Sequence, residues 1–172
     1  MEPYVIKLNE LGMNDVEVVG GKNASLGEMI SNLSNLGVSV PGGFATTAAA
    51  YRAFLGTDGL DARISATLDD LNVDDIDALT RAGRSIRQWI LDTPLPQRLR
   101  EDIETAWSEM SGGNDIAVAV RSSATAEDLP ELSFAGQQDT FLNVRGADAL
   151  QQAVLRCWSS LWTARAIGYR AR

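Results

Sequence analysis

The chain reads as an α+β fold in which short strands and a β-hairpin bracket a helical insertion. Three observations predict it. Strand-like runs occur at residues 4–8, 116–120 and 139–144; helix-spaced apolar residues fill the stretch from about Ala48 to Met110; and one further helical pattern follows the hairpin. Strands and helices segregated in this way favour α+β over a regular βαβ winding. With 172 residues, 45% of them hydrophobic and 22% charged, the chain can bury a core of its own. A single domain or subdomain is the simplest count.

The first strand is expected over residues 4–8, and the Gly20-Gly21 pair punctuates the chain before a helix. From Asn23 onward, Leu26, Met29, Ile30, Leu33 and Leu36 follow the i, i+3, i+4, i+7 spacing, and Gly37 stands where a C-terminal cap belongs. Val38, Ser39 and Val40 should be extended, because the ring of Pro41 disfavours helical geometry before it. Thr46 or Thr47 can cap a second helix carrying Tyr51, Phe54 and Leu55, which Gly56 stops. A third begins near Asp74-Asp75, shows Ile76, Leu79, Ile86, Trp89 and Ile90, and ends at Thr93-Pro94. A fourth places Leu99, Ile103, Trp107 and Met110 together and breaks at Ser111-Gly112-Gly113.

The apolar, β-branched run at residues 116–120 suits a strand covered on both faces, with Arg121 emerging at its edge. On the return strand, strict alternation puts Thr140, Leu142 and Val144 on one face and Phe141 and Asn143 on the other. The last helix shows Leu150, Val154, Trp158, Leu161 and Trp162. Cys157 shares that apolar face, so a buried, inert thiol is expected rather than a nucleophile.

Composition excludes several function classes. The formal net charge of -8 leaves no general basic field for nucleic acid, so any anion must be bound locally. Lys7 and Lys22 are the only lysines, and arginine carries the remaining positive charge. No apolar run approaches the roughly 20 residues that span a bilayer, and the start, MEPYVIKLNEL, lacks the pattern of a signal peptide, so no membrane role and a cytoplasmic location are expected. The single cysteine cannot form an intrachain disulfide. The absence of histidine rules out histidine catalysis and histidine metal ligation within these residues.

The segment Val19-Gly20-Gly21-Lys22-Asn23-Ala24-Ser25 matches a P-loop only in part. That motif requires a glycine five residues before the glycine of its Gly-Lys pair, and Ser or Thr after the lysine. Here Val16 and Asn23 occupy those positions. Two glycines before a helix N-terminus can nonetheless admit an anion, and Lys22 adds a point charge; a glycine turn with a solvated lysine is the alternative. Arg121 can clamp phosphate oxygens or pair with a carboxylate such as Glu127 or Asp128. Ser122, Ser123 and Thr125 can donate to phosphate or belong to a plain loop. Gly136, Gln137 and Gln138 bring main-chain N–H groups and neutral amides together, with a glycine bulge as the competing account. The acidic cluster Glu127, Asp128 and Glu131 can hold Mg²⁺ but is more often a solvated loop.

Taken together, three stretches carry a specific resemblance. They are LGMNDVEVVGGKNASLGEMISNLSNLGVSVPGGFATT at residues 11–47, IRQWILDTP at 86–94 and AVRSSATAEDLPELSFAGQQDTFLNV at 119–144. At this spacing the chain resembles, nearly end to end, the N-terminal part of enzymes of the pyruvate phosphate dikinase family, which also includes rifampin phosphotransferase. The resemblance implies that residues 1–172 are the first, incomplete part of an ATP-grasp nucleotide-binding domain. It implies that Lys22 and Arg121 contact ATP phosphates, that the loop through Gly136, Gln137 and Gln138 to Thr140 folds over them, and that Ser122 and Ser123 are supporting donors.

In the larger enzymes so resembled, ATP phosphorylates a histidine on a mobile domain. That domain carries the phosphoryl group to pyruvate in a barrel, with AMP, phosphoenolpyruvate and phosphate as overall products. This chain has no histidine, so the phosphohistidine is missing from it, and the family's Mg²⁺ ligands and pyruvate-binding domain are expected beyond Arg172. ATP is then the partner of this chain and pyruvate a partner only of the full-length enzyme. A homo-oligomer is compatible with the sequence. Two alternatives stay open: a related phosphotransferase of the phenylphosphate synthase or rifampin type, and a non-catalytic nucleotide-binding module.

Overall fold

A computed structural model describes residues 2–38, 42–122 and 140–170 of the chain. The expected extended geometry at Ser39 and Val40 falls outside them. Helices and two small antiparallel sheets make up these residues, an α+β composition. They gather into two compact units. The first comprises residues 2–38, 42–53 and 97–116; the second comprises 54–96, 117–122 and 140–170.

In the first unit, strand β1 (Val5–Lys7) pairs antiparallel with β2 (Phe44–Thr46), Ile6 opposite Ala45. Between them run a one-turn helix α1 (Val16–Val19) and the longer α2 (Gly21–Asn35). Leu11, Val19, Ala24 and Ala45 form the buried centre, and Ile6, Leu8 and Val16 pack around it. A Cβ added at Gly27 of α2 would lie 2.5 Å from the Leu11 carbonyl oxygen, so only glycine permits this approach. The C-terminus of α2 is a Schellman motif: the Gly37 N–H donates to the Ser34 carbonyl and the Val38 N–H to the Leu33 carbonyl, with Gly37 at φ 78°. Thr47 caps α3 (Ala48–Leu55), its Oγ1 accepting from the Ala50 N–H at 3.2 Å and donating to the Pro3 carbonyl at 2.7 Å. Helix α6 (Gln97–Ser111) buries Leu99 and Ile103 as expected, but Ala106 takes the next buried position while Trp107 and Met110 are only half-buried. Arg98 of α6 stacks 3.8 Å over the Tyr4 ring and donates to the Glu2 carbonyl, while Glu109 pairs with Lys7.

The second unit begins within α3, where Phe54 is fully buried and its ring lies 5.0 Å from that of Trp158. Helix α4 (Leu60–Asp69), which the apolar spacing does not set apart from the rest of the helical insertion, buries Leu60 and Ile64. Helix α5 (Ile76–Asp92) starts at Asp75, whose carboxylate accepts from the Ala78 N–H, and stops at Thr93, whose hydroxyl donates to the Trp89 carbonyl. Ile76 was expected on the apolar face but is 75% exposed, because as the first helical residue it projects before the buried stripe of Ala82, Ile86 and Ile90 begins. Helix α7 (Ala147–Ser160) buries Leu150, Val154, Cys157 and Trp158. It ends before Leu161, and a separate short helix α8 (Ala164–Arg170) follows.

Strands β3 (Ala117–Arg121) and β4 (Thr140–Arg145) pair antiparallel and lie against α7. Two expectations fail here. β3 is not covered on both faces: Ala117, Ala119 and Arg121 are exposed while Val118 and Val120 are half-buried, the pattern of a sheet with one open side. Nor does β4 alternate strictly. Val118 opposes Val144 and Val120 opposes Phe141, so Leu142 and Asn143 together face Ala119 alone. Asn143 takes up the extra residue at φ 56°, a left-handed conformation that asparagine tolerates. Phe141 and Val144, three apart, are thereby the more buried positions, and Leu142 is 73% exposed.

Candidate functional site

The Lys22 segment is built by a glycine that no other residue replaces without strain. Gly20 sits at φ 84°, ψ 162°, a region open essentially to glycine, and ends α1 while starting α2. Its N–H donates to the Val16 carbonyl and its carbonyl accepts from the Ala24 N–H. The helix therefore begins at Gly21, two residues earlier than the apolar spacing implied, and Lys22 stands exposed in its first turn. No acidic residue shares that turn. The Asn23 side chain is tied back to the Val19 carbonyl at 3.0 Å. Nearby, Glu28 accepts from the Met13 N–H and Asp15 from the Gly12 N–H, fastening the loop that leads into α1.

In the second unit, Arg121 is the last residue of β3 and is directly opposite Thr140, the first of β4. Both are exposed. Directly paired residues project to the same side of a sheet, so the guanidinium and the hydroxyl share the open face. No carboxylate among the described residues pairs with Arg121. Ser122, next along, is buried. Of the other expected ligand contacts, Ser123, Gly136, Gln137 and Gln138 lie outside the described residues, as do Thr125 and the acidic Glu127, Asp128 and Glu131. Lys22 belongs to the first unit, and Arg121, Ser122 and Thr140 to the second.

Among the described residues no three Asp, Glu or Cys side chains cluster as metal ligands. Among them, too, no helix is long and apolar enough to cross a membrane. Arg87 and Arg156, which belong to no sequence motif, line one cleft on the helix-covered side of the β3–β4 hairpin. Their signal was available: each directly follows a buried aliphatic residue, Ile86 or Leu155, at the margin of a core-facing stripe.

Known proteins resemble this chain along nearly its whole length. A phosphoenolpyruvate synthase of Neisseria meningitidis serogroup B is 62% identical over 170 residues, covering 97% of this chain and 21% of that protein. Proteins of the same name from Pseudomonas aeruginosa and Escherichia coli are 60% and 56% identical, covering 99% and 98% of the chain and 22% and 21% of their own lengths. The chain thus spans about one fifth of the length of these curated relatives. Residues 16–172 match the family model described as the pyruvate phosphate dikinase AMP/ATP-binding domain. With Lys22 and the Arg121–Thr140 pair inside the matched span, the chain belongs to the pyruvate phosphate dikinase AMP/ATP-binding domain family.

Proposed function

We propose that this chain is the ATP-side, N-terminal part of a phosphoenolpyruvate synthase, with an ATP-grasp fold begun here and completed by residues beyond Arg172. The full enzyme converts pyruvate, ATP and water to phosphoenolpyruvate, AMP and phosphate through a phosphohistidine carried outside this chain. It works in the cytoplasm. The observation that carries the site assignment is the exposed cross-strand pair of Arg121 and Thr140, a guanidinium and a hydroxyl on one open face with no carboxylate among the described residues paired to the cation.

The chemistry asks for little else from this part of the protein. Phosphoryl transfer leaves the protein mainly positioning and charge stabilisation to perform. Arg121 offers a planar fork that holds two phosphate oxygens at once, and Thr140 adds a hydroxyl donor beside it. Lys22 contributes a compact charge at the positive end of α2, where first-turn N–H groups lack intrahelical acceptors. In this reading Gly136, Gln137 and Gln138 contribute further phosphate contacts, with Ser122 and Ser123 as supporting donors. Bound Mg²⁺ supplies further neutralisation of phosphate charge, and its ligands belong to residues beyond Arg172.

Calorimetric titration of MgATP into the chain and into Lys22→Ala and Arg121→Ala variants tests the assignment. Each substitution is expected to weaken binding about tenfold or more, as loss of a charge-assisted contact should. Equal affinity in all three proteins overturns it.

A further inference from the structure

The second unit contains a concavity that the proposed ATP contacts do not use. An open cleft of about 600 Å³ lies among α5, β4, α7 and the turn into α8, and its lining includes Arg87, Phe141, Arg156, Ser160 and Thr163. Among the described residues, two arginines line it and no acidic residue does.

Among the described residues no carboxylate pairs with Arg87 or Arg156. Arg87 donates one N–H to the Trp162 carbonyl at 2.9 Å, which fixes its guanidinium beside the start of α8. Gly83 makes that placement possible: a Cβ there would lie 2.9 Å from Arg87 Nη1, 3.1 Å from the Ala164 nitrogen and 3.3 Å from the Trp162 oxygen. Arg156 lies with its Cζ 5.9 Å from the centre of the Phe141 ring, a cation resting against an aromatic wall. An arginine carries five N–H donors and no acceptor, so both guanidiniums, one half-buried and one exposed, offer donors that an anion in the cleft can accept.

The hydroxyls sort by what they already do. Ser159 donates to the Arg87 carbonyl and Ser160 to the Cys157 carbonyl, so their protons are committed. Thr163 accepts from the Ala166 N–H at 3.2 Å, which leaves its own proton to donate. The cleft therefore presents two guanidinium forks and one hydroxyl donor beside an aromatic ring.

It is also separate from the Arg121–Thr140 face. Phe141 opposes Val120, and both are half-buried on the side that α7 covers, whereas Arg121 and Thr140 are exposed and project the other way. We propose that the cleft between Arg87 and Arg156 is a second anion site, which takes a phosphate-class dianion, free or as a small monoester, independently of the Lys22 and Arg121 contacts.

A ¹H–¹⁵N NMR titration of the 172-residue chain with inorganic phosphate, against potassium chloride at matched ionic strength, tests this directly. Saturating shifts are expected at the backbone of Ser160, Thr163 and Ala164 and at the Nε–H of Arg87 and Arg156. Arg156→Gln should weaken the apparent affinity about tenfold or more, since a bidentate charged contact is lost. Arg156→Lys should fall between, retaining charge without the fork, and its spectrum reports folding independently. Arg121→Ala and Lys22→Ala should leave the phosphate shifts unchanged, so failure of the ATP assignment and failure of this one are told apart. A parallel titration with methyl phosphate separates the sources: comparable saturation identifies a monoester site, and saturation by inorganic phosphate alone identifies a free-phosphate site. Shifts that chloride reproduces, an Arg156→Gln affinity equal to the unmodified chain, or loss of the shifts in Arg121→Ala each overturn the proposal.

Discussion

At Gly27 a single hydrogen atom in place of a side chain decides how closely two segments approach. An added methyl group would meet the Leu11 carbonyl oxygen at 2.5 Å and its carbon at 2.7 Å, both of them backbone atoms that cannot rotate away. Gly27→Ala is expected to destabilise the fold by about 1–3 kcal/mol, the cost of overpacking, read as a lower urea midpoint. Lys7 differs, because its partner Glu109 is about half exposed to solvent. The hydrogen bond to Glu109 at 2.8 Å, and then the charge of Glu109, raise the Lys7 pKa above 10.5, with Glu10 adding less and burial opposing. The folded chain thus holds this proton more tightly than the unfolded one. The pair's contribution is fully present below about pH 10.5 and disappears as pH rises through the raised value. Both side chains are about half exposed, so the contribution is small. Urea midpoints of the chain and of Lys7→Gln should differ slightly near neutrality and converge in strong alkali; a constant gap would count against the pairing.

Elements end where local chemistry ends them, and those ends were readable. Gly37, Thr47 and Thr93 all act at the helix boundaries their residue types imply, because capping needs only neighbours within a few positions. Thr47 does more than cap, since its hydroxyl also reaches the Pro3 carbonyl ahead of β1. Thr47→Ala is expected to cost about 1–2 kcal/mol through the lost cap and the second bond, and Thr47→Ser to recover most of it, both measurable by chemical denaturation. The register of β4 was not readable. Alternation along one strand says nothing of how many residues the partner sets against it, and the pairing of Leu142 and Asn143 with Ala119 alone appears only across the ladder. The same limit hid Gly83 and Arg87, whose roles depend on Trp162 and Ala164 some 75 residues away for the Arg87–Trp162 bond. Lys22 fell between the two cases: its helix was legible, but the glycine geometry that starts the helix at Gly21 was not.

Across the whole molecule, the absence of histidine sets how the fold responds to acid. Between about pH 6 and 7.5 no side-chain type present here has its ordinary pKa, since carboxylates titrate lower and cysteine, tyrosine and lysine higher. The urea midpoint should therefore be flat across that interval, and a slope would reveal a strongly displaced carboxylate or thiol. The chain also departs from its relatives in extent, spanning about one fifth of their length. The α+β class was legible because helix and strand periods differ. The division into two units was not, since residues 97–116 return to the first unit only through contacts distant in sequence.

The extra residue in β4 has a consequence for tolerance to length change. Remove Asn143 on paper, and Phe141 and Val144 become two apart, with Thr140, Leu142 and Arg145 falling on the opposite side by simple alternation. The strand is thus one letter longer than its hydrophobic grammar requires. A single-codon loss here would be silent in the inside–outside code while straightening the ribbon on which Arg121 and Thr140 stand, so shape could change without any residue changing sides.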